Sequence, residues 1–339
     1  MKFLDTIKFL IAAIQNSNKL LVIDQVAIKS RFGEDFQTDV YQPINPKKYK
    51  GTILFVHGMN KYGNKDPRMM ALCKAAALAN YRAVAPTYQL IAEYYVDLRS
   101  VDEIVDTIKL IAQDKTLSES GKVGIFTASL SGTHSIRAAA NVEVASLVTS
   151  ICSVGICFNP RTTFTNILKT KSHDRYAKYI AIKSLLHMND ELNETLRIGL
   201  DLAIDDEFDE NGLQRTKQFL LTLTGEAREQ LATFIEAVEL ERDLSTDYQH
   251  LIENIHNKMT AAYDMRGLRC YTTLIHSAED NVLPTLETVL LYQQLKEYGK
   301  QATMLITPIL EHADFQFKLS YMIDMIKFMN AFYQFFKHI

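Results

Sequence analysis

Continuous apolar runs alternate with helical apolar spacing along the first part of the chain. The runs that predict strands are 51–58, 81–88, 121–129 and 144–158. Between them, 66–80 and 97–114 carry apolar residues on one helical face, and a helical segment follows residue 129 directly. Strands that are apolar throughout and separated by helices are typical of a parallel sheet covered on both faces.

The chain begins with a different pattern. In MKFLDTIKFLIAAIQ the apolar residues recur at helical spacing, and Asp5 and Lys8 interrupt the run, so an amphipathic helix is favoured over a signal peptide. This helix is expected to pack on the body or to touch a membrane surface. Residues 21–30 and 35–41 then predict an antiparallel pair of strands.

Three zones follow from these patterns. Residues 1–159 form the first part of an α/β core, and 160–265 contain helical apolar patterns without a convincing strand. In 266–339 the alternation returns, with a strand at 268–280, a helix at 285–299, a strand at 301–308 and a closing helix at 315–336. We therefore predict one α/β domain with a helical insertion that forms a cap or lid.

Composition narrows the class of protein. The 339 residues are 47% hydrophobic and 23% charged with a net charge of −3, which is ordinary for a globular protein and lacks the basic excess of a nucleic-acid binder. The four cysteines have no CxxC spacing, so neither zinc nor a disulfide framework is predicted. Cys152 and Cys157 are expected to be buried thiols. Such cysteines favour a reducing compartment, and we expect a cytoplasmic protein, with secretion or membrane association left open.

The segment KVGIFTASLSGTHS carries the first chemical signal. A strand ends, one serine occupies a tight turn, and a helix starts at once, which is the pattern of a nucleophile elbow. The usual G-x-S-x-G becomes Thr127-Ala128-Ser129-Leu130-Ser131, so both flanking glycines are replaced. Ser129 is the predicted nucleophile. Ser131 is an alternative, which would lengthen the strand by two residues.

Three further segments stand at the ends of predicted strands. The strand 51–58 ends in His57-Gly58, LIHSAEDNVLP (274–284) places Asp280 after a strand, and ITPILEHADF (306–315) places His312 between the last strand and the closing helix. The order Ser…Asp…His differs from those of trypsin and subtilisin.

Together these segments resemble the α/β-hydrolase superfamily, over residues 50–159 and 266–337, and specifically its esterases, lipases and lysophospholipases with a helical cap. The resemblance implies a triad of Ser129, Asp280 and His312. It also implies an oxyanion hole formed by the backbone N–H groups of Met59 and Leu130. Glu279 remains an alternative acid. His57 is expected to brace its loop rather than to act as the base.

Neither a metal nor an organic cofactor is needed for this chemistry. Apolar residues of the insertion, including Phe158, Tyr179 and Leu185, are predicted to line a pocket for an acyl or lipid-like ester. The acidic run 201–210 is expected to be a solvated face. Thioester and peptide cleavage use the same triad, and the altered elbow leaves a catalytically silent scaffold as a further alternative.

Overall fold

An eight-stranded, mostly parallel sheet forms the centre of the computed structural model, which describes residues 2–15, 21–33, 35–169, 175–210, 212–262, 264–311, 314–315 and 321–339. The strands of this sheet are β1 (Ile23–Lys29), β2 (Asp35–Tyr41), β3 (Thr52–Val56), β4 (Arg82–Pro86), β5 (Val123–Ala128), β6 (Val148–Val154), β7 (Tyr271–Ser277) and β8 (Ala302–Thr307).

The strand order in the sheet is β1-β2-β4-β3-β5-β6-β7-β8. Strands β3 to β8 pair in parallel, whereas β1 pairs with β2, and β2 with β4, in antiparallel fashion. The predicted α/β architecture and its leading antiparallel pair are therefore confirmed. Because parallel strands end at the same edge, residues that follow β3, β5, β6 and β7 are brought together there.

Helices cover both faces of the sheet. The helices of the described residues that flank it are α1 (Lys2–Gln15), α2 (Pro67–Leu78), α3 (Gln89–Ala92), α4 (Arg99–Gln113), α5 (Leu130–Ala140), α12 (Thr285–Glu297) and α13 (Met322–Lys337). Successive side chains of a strand point to opposite faces. Accordingly, Leu54 and Val56 of β3 pack into the core on the side of α4, α5 and α12. Ile53 and Phe55 pack into the core on the side of α1, α2 and α13.

The segment between β6 and β7 contains the helices α6 (Pro160–Lys169), α7 (Arg175–Met188), α8 (Glu194–Phe208), α9 (Gln214–Thr222), α10 (Gly225–Glu239) and α11 (Gln249–Ala262). These helices share a third apolar cluster, which also takes in Tyr94, Leu130 and Leu283 from the sheet domain. Within its described residues this segment has no strand. That it acts as a cap over a site stays a prediction.

Several predicted boundaries were too generous. Strand β6 covers only Val148–Val154 of the apolar run 144–158, because residues 141–147 form turns and Gly155 has a φ of 61°, which an extended strand does not allow. The closing helix begins at Met322, and residues 316–320 lie outside the described part of the chain. All four cysteines are buried and unpaired, as predicted for Cys152 and Cys157.

The predicted N-terminal helix is present as α1 and packs against α2 and α13. The Phe9 ring lies 5.6 Å from that of Phe332 and 5.0 Å from that of Phe336. The buried Asp5 carboxylate is paired with the Lys50 ammonium at 2.6 Å. Among the described residues, no helix is long and apolar enough to cross a membrane.

Candidate active site

Ser129 occupies a sharp turn between strand β5 and helix α5. It has φ 58° and ψ −142°, a backbone conformation that residues other than glycine rarely adopt and that costs about 1–3 kcal/mol. The Ser129 N–H donates to the Val154 carbonyl at 2.8 Å, and the Gly132 N–H donates to the Ser129 carbonyl at 2.9 Å. Strain of this kind, held by neighbouring strands, is what a nucleophile elbow requires.

The residues around the turn explain how the elbow tolerates the loss of its usual glycines. Thr127 is fully buried, and Ser131 is fully buried with its hydroxyl donating to the His57 carbonyl at 2.5 Å. The closest approach occurs one residue later, where a Cβ on Gly132 would lie 2.2 Å from Ser153 Oγ. Since the Ser131 hydroxyl is buried and already bonded, Ser129 is the better placed of the two serines to meet a substrate.

The loop after β3 lies against the elbow. A Cβ on Gly58 would lie 3.5 Å from the Cβ of Ser129 and 3.6 Å from the Ala128 carbonyl oxygen. The adjacent Met59 lines the same cavity as Ser129. In the described part of the chain, neither the Met59 nor the Leu130 N–H has a hydrogen-bond acceptor, so both amides remain available as donors to a ligand.

His57 has a structural environment. Its Nε2 accepts from the Tyr88 N–H at 3.0 Å, so the proton lies on Nδ1, which donates to the Gly58 carbonyl at 2.8 Å. Complete burial lowers the pKa of His57 from 6.5 to about 4, although the bond to Gly58 opposes that shift. A neutral ring with both nitrogens bonded to backbone supports the predicted bracing role and leaves no nitrogen for a substrate.

His134 on α5 is a second buried histidine. Burial first, and then the positive charge of Arg137, lower its pKa from 6.5 to about 3. Neither of its ring nitrogens has a hydrogen-bond partner among the described residues. The ring is therefore neutral near neutral pH and packs as an apolar group.

These two histidines predict a pH dependence of stability. Below pH 6.5 the unfolded chain takes up protons on His57 and His134 that the native chain does not, so the free energy of unfolding falls as the pH is lowered toward about 4. Each histidine contributes up to about 1.4 kcal/mol per pH unit. The free energy of unfolding of the wild type and of His134→Leu can be measured by urea unfolding from about pH 7 to 5. It should fall less steeply with decreasing pH in the variant than in the wild type. Equal slopes would contradict this assignment.

Asp280 follows β7 and lines the cavity beside Ser129. Its Oδ1 accepts from the Val282 and Leu283 N–H groups at 2.9 and 2.8 Å, which orients the carboxylate. A Cβ on Gly155 would lie 3.6 Å from Oδ2. By contrast, Glu279 is exposed and does not line this cavity. Of the two carboxylates that the sequence left open, Asp280 is the one placed near Ser129.

His312, the predicted base, lies outside the described residues. In the sequence it falls between two short strands, β9 (Leu310–Glu311) and β10 (Asp314–Phe315), which pair in antiparallel fashion. The Ser277 hydroxyl donates to the Leu310 carbonyl and thereby holds β9 beside the end of β7. Both Ser277 and Leu310 line the cavity that contains Ser129. The role of His312 stays a prediction.

The cavity at this edge has a volume of about 650 Å³, within the usual range for small-molecule sites. Much of its apolar wall comes from the elements on one face of the sheet. The wall residues on α1, α2 and α13 are Phe9, Leu10, Ala13, Ile14, Met69, Ala71, Leu72, Phe328 and Phe332. Asp66, Arg68 and Asn60 add polar groups. An apolar chamber with a few polar groups suits a ligand that has a substantial hydrocarbon part.

The residues predicted to bind substrate are placed elsewhere. Tyr179 and Leu185 are fully buried in the cluster of the helical segment, and the half-buried Phe158 packs against the core on the other face of the sheet. From the described residues of the helical segment, only Tyr176 lines the cavity. An apolar residue on a helix can pack against a neighbouring helix or line a pocket. The spacing in the sequence is the same in both cases and did not distinguish them. The sequence signal that could have identified part of the cavity wall lies in α1, whose apolar residues extend around the helix instead of forming one stripe.

The acidic run 201–210 is paired rather than simply solvated. Lys61, two residues after Met59, lies 3.3 Å from Asp205 and 3.1 Å from Asp209. Asp206 is fully buried and is paired with Arg215 at 2.6 Å. The Lys61 pairs connect α8 to the loop after β3, and the Asp206 pair connects α8 to α9.

Comparison with known proteins shows that the fold of this chain is similar to the folds of several solved structures. No protein-family model and no curated protein matches the chain. Its structure is similar to that of a protein from Legionella pneumophila designated a hydrolase, with a TM-score of 0.57 and 15% identity over 99% of this chain and 95% of that one. It is also similar to an esterase from Pyrococcus furiosus, with a TM-score of 0.50 and 11% identity over 94% of this chain and 91% of that one.

An acylaminoacyl peptidase from Pyrococcus horikoshii aligns over 96% of this chain at 16% identity and a TM-score of 0.47, and this chain spans 42% of its length. At such identities the similarity concerns the fold. The parallel sheet, the strained serine after β5 and these similar structures agree with one another, and the chain therefore has the α/β-hydrolase fold.

Proposed function

We propose that the chain is a serine hydrolase that cleaves carboxylic esters with an apolar acyl part. The observation that carries this proposal is the strained Ser129, which faces an apolar cavity of about 650 Å³ that Asp280 also lines. A strained turn costs free energy and is retained where it serves a function.

The proposed reaction has two steps. In the first, Ser129 Oγ attacks the ester carbonyl carbon while His312 accepts the hydroxyl proton, and the oxyanion is stabilised by the N–H groups of Met59 and Leu130. The bond to the leaving alkoxide then breaks, and His312 returns the proton to it. In the second, His312 deprotonates a water molecule that attacks the acyl carbon, the bond from that carbon to Ser129 Oγ breaks, and His312 returns the proton to Oγ, so that the acid leaves and Ser129 is restored. Asp280 orients the imidazole and stabilises its charged form.

An activity-based label tests the proposal directly. A fluorophosphonate should react with the wild type and not with Ser129→Ala, because the reagent forms a covalent bond only with an activated serine hydroxyl. Absence of label from the folded wild type would favour the silent scaffold. A parallel panel of an ester, a thioester and a peptide amide, compared by kcat/KM, separates the substrate classes, and preference for the amide would overturn ester hydrolysis.

The cavity wall also predicts how activity depends on acyl length. Ala13 of α1 lines the cavity, so Ala13→Phe should narrow it and lower kcat/KM for a p-nitrophenyl ester of a long acyl chain by about tenfold or more. Hydrolysis of the acetate ester serves as the internal control and should change little. A parallel loss for both esters would show that the substitution damages the site instead of shortening the chamber.

A further inference from the structure

Helix α1 has two apolar faces, of which only one is covered by the protein. Phe9 and Leu10 are buried against the body, 1% and 8% exposed. On the opposite face Phe3, Leu4 and Ile11 are 50%, 61% and 49% exposed. A helix that is apolar all round is normally buried on all sides, so the outer face is expected to have an additional apolar contact.

The exposed face continues onto α13. The Lys2 ammonium donates to the Ile339 carbonyl at 2.9 Å, and the Phe3 and Tyr333 rings lie 6.2 Å apart, so the start of α1 is beside the end of α13. Ile14 in the last turn of α1 and Phe328 in the second turn of α13 line the same cavity, so the first turns of α13 lie toward the end of α1. In these turns the Met322 and Ile326 side chains are 70% and 65% exposed.

This outer surface reaches the cavity. Ile14, in the last turn of α1, is 48% exposed and also lines the cavity that contains Ser129. Phe328 of α13 lines the same cavity. One side of the α1 helix thus faces solvent at the point where its other side forms the chamber wall.

The charges of α1 indicate what kind of surface would cover this face. Its only acidic residue, Asp5, is buried and paired with Lys50. Lys8 is exposed and lies on the edge of the face, one turn from both Leu4 and Ile11. On α13 the exposed Lys327 is within 3.5 Å of Asp324. The α1 face is therefore apolar with one exposed cation, Lys8, at its edge, which complements an anionic lipid surface.

We propose that the outer face of α1, continued by the first turns of α13, binds an anionic lipid surface and places the cavity mouth against it. This inference rests on the proposed function in so far as the lipid surface supplies the ester. A second copy of the chain fits less well, since symmetric pairing of the α1 helices would bring Lys8 of both copies together, and the one acidic residue of α1, Asp5, is buried. The few exposed side chains are also far short of the ~20–30 residues a side of a stable interface.

Vesicle sedimentation of the full chain tests this surface. The wild type should sediment with vesicles of phosphatidylcholine and phosphatidylglycerol, and less with phosphatidylcholine alone. Leu4→Ser/Ile11→Ser should lower the partition coefficient about tenfold or more, because two side chains no longer enter the interface. Lys8→Ser should weaken binding to the anionic vesicles only. Val142→Ser/Leu221→Ser removes two apolar side chains that are 85% and 75% exposed on other elements and should bind like the wild type.

The proposal that α1 binds a lipid surface is overturned if the wild type stays in the supernatant with both kinds of vesicle. It is also overturned if the two double variants bind the vesicles equally. It is also overturned if the wild type is a dimer that Leu4→Ser/Ile11→Ser dissociates, since a second copy then covers the face. Hydrolysis of p-nitrophenyl acetate, measured on the same samples, separates this result from the proposed function. Leu4 and Ile11 do not line the cavity, so that rate should be unchanged. Vesicle binding without hydrolysis would leave the surface intact and reject the hydrolase.

Discussion

Ser129→Ala is expected to lower kcat for a p-nitrophenyl ester by at least about 10⁴-fold, because the acyl-enzyme can no longer form. The fold should survive, since alanine removes only the Oγ from a half-buried position whose backbone is held by the bonds to Val154 and Gly132. Steady-state kinetics provide the measurement, and thermal unfolding followed by circular dichroism verifies that the variant is folded.

Ser131→Ala is the matched control for this result. It removes a hydroxyl two residues away, whose donation to the His57 carbonyl is its described contact. A lost hydrogen bond of this kind costs about 1 kcal/mol of stability, and we expect kcat to remain within about tenfold of the wild type. Loss of activity in Ser131→Ala with retention in Ser129→Ala would reverse the assignment of the nucleophile.

Phe9→Ala should destabilise the protein by about 3–5 kcal/mol. The Phe9 side chain is 1% exposed and packs between the rings of Phe332 and Phe336, so its removal leaves a void that rigid neighbours fill poorly. Because Phe9 also lines the cavity, the void enlarges the chamber. Urea unfolding at neutral pH measures the change.

Phe3→Ala provides the comparison on the same helix. Phe3 is 50% exposed and makes an edge contact with Tyr333 at 6.2 Å, so its removal should cost less than about 1 kcal/mol. If both substitutions had the same small effect, α1 would not be an integral part of the core, and the cavity wall that it forms would be in doubt.

The sequence was sufficient for those features that depend on local patterns. The apolar runs at 51–58, 81–88 and 121–129 predicted β3, β4 and β5, because a parallel strand buried on both faces is nearly continuously apolar. The helical spacing of 66–80 predicted α2, at whose start the Asp66 carboxylate accepts from the Arg68 and Met69 N–H groups. The strand–serine–helix pattern predicted the turn at Ser129 although its glycines are absent.

The folded structure was needed to choose between neighbouring candidates for the same catalytic role. Ser129 and Ser131, or Asp280 and Glu279, are equivalent in composition and lie close in sequence. They differ in whether the side chain is buried, exposed or directed to the cavity, and that depends on how β5, β6 and β7 end beside one another.

The sequence by itself determined the order of strands and helices, the α/β class and the position of the tight turn, since each follows from residues that are near one another in the chain. Only the tertiary structure decided which walls form the chamber. Many of its apolar residues come from α1 at the beginning of the chain, α2, and α13 at the end. Contacts between elements so far apart in the chain depend on how they pack on the shared sheet. The pattern of apolar residues along the sequence does not indicate which helix faces come into contact.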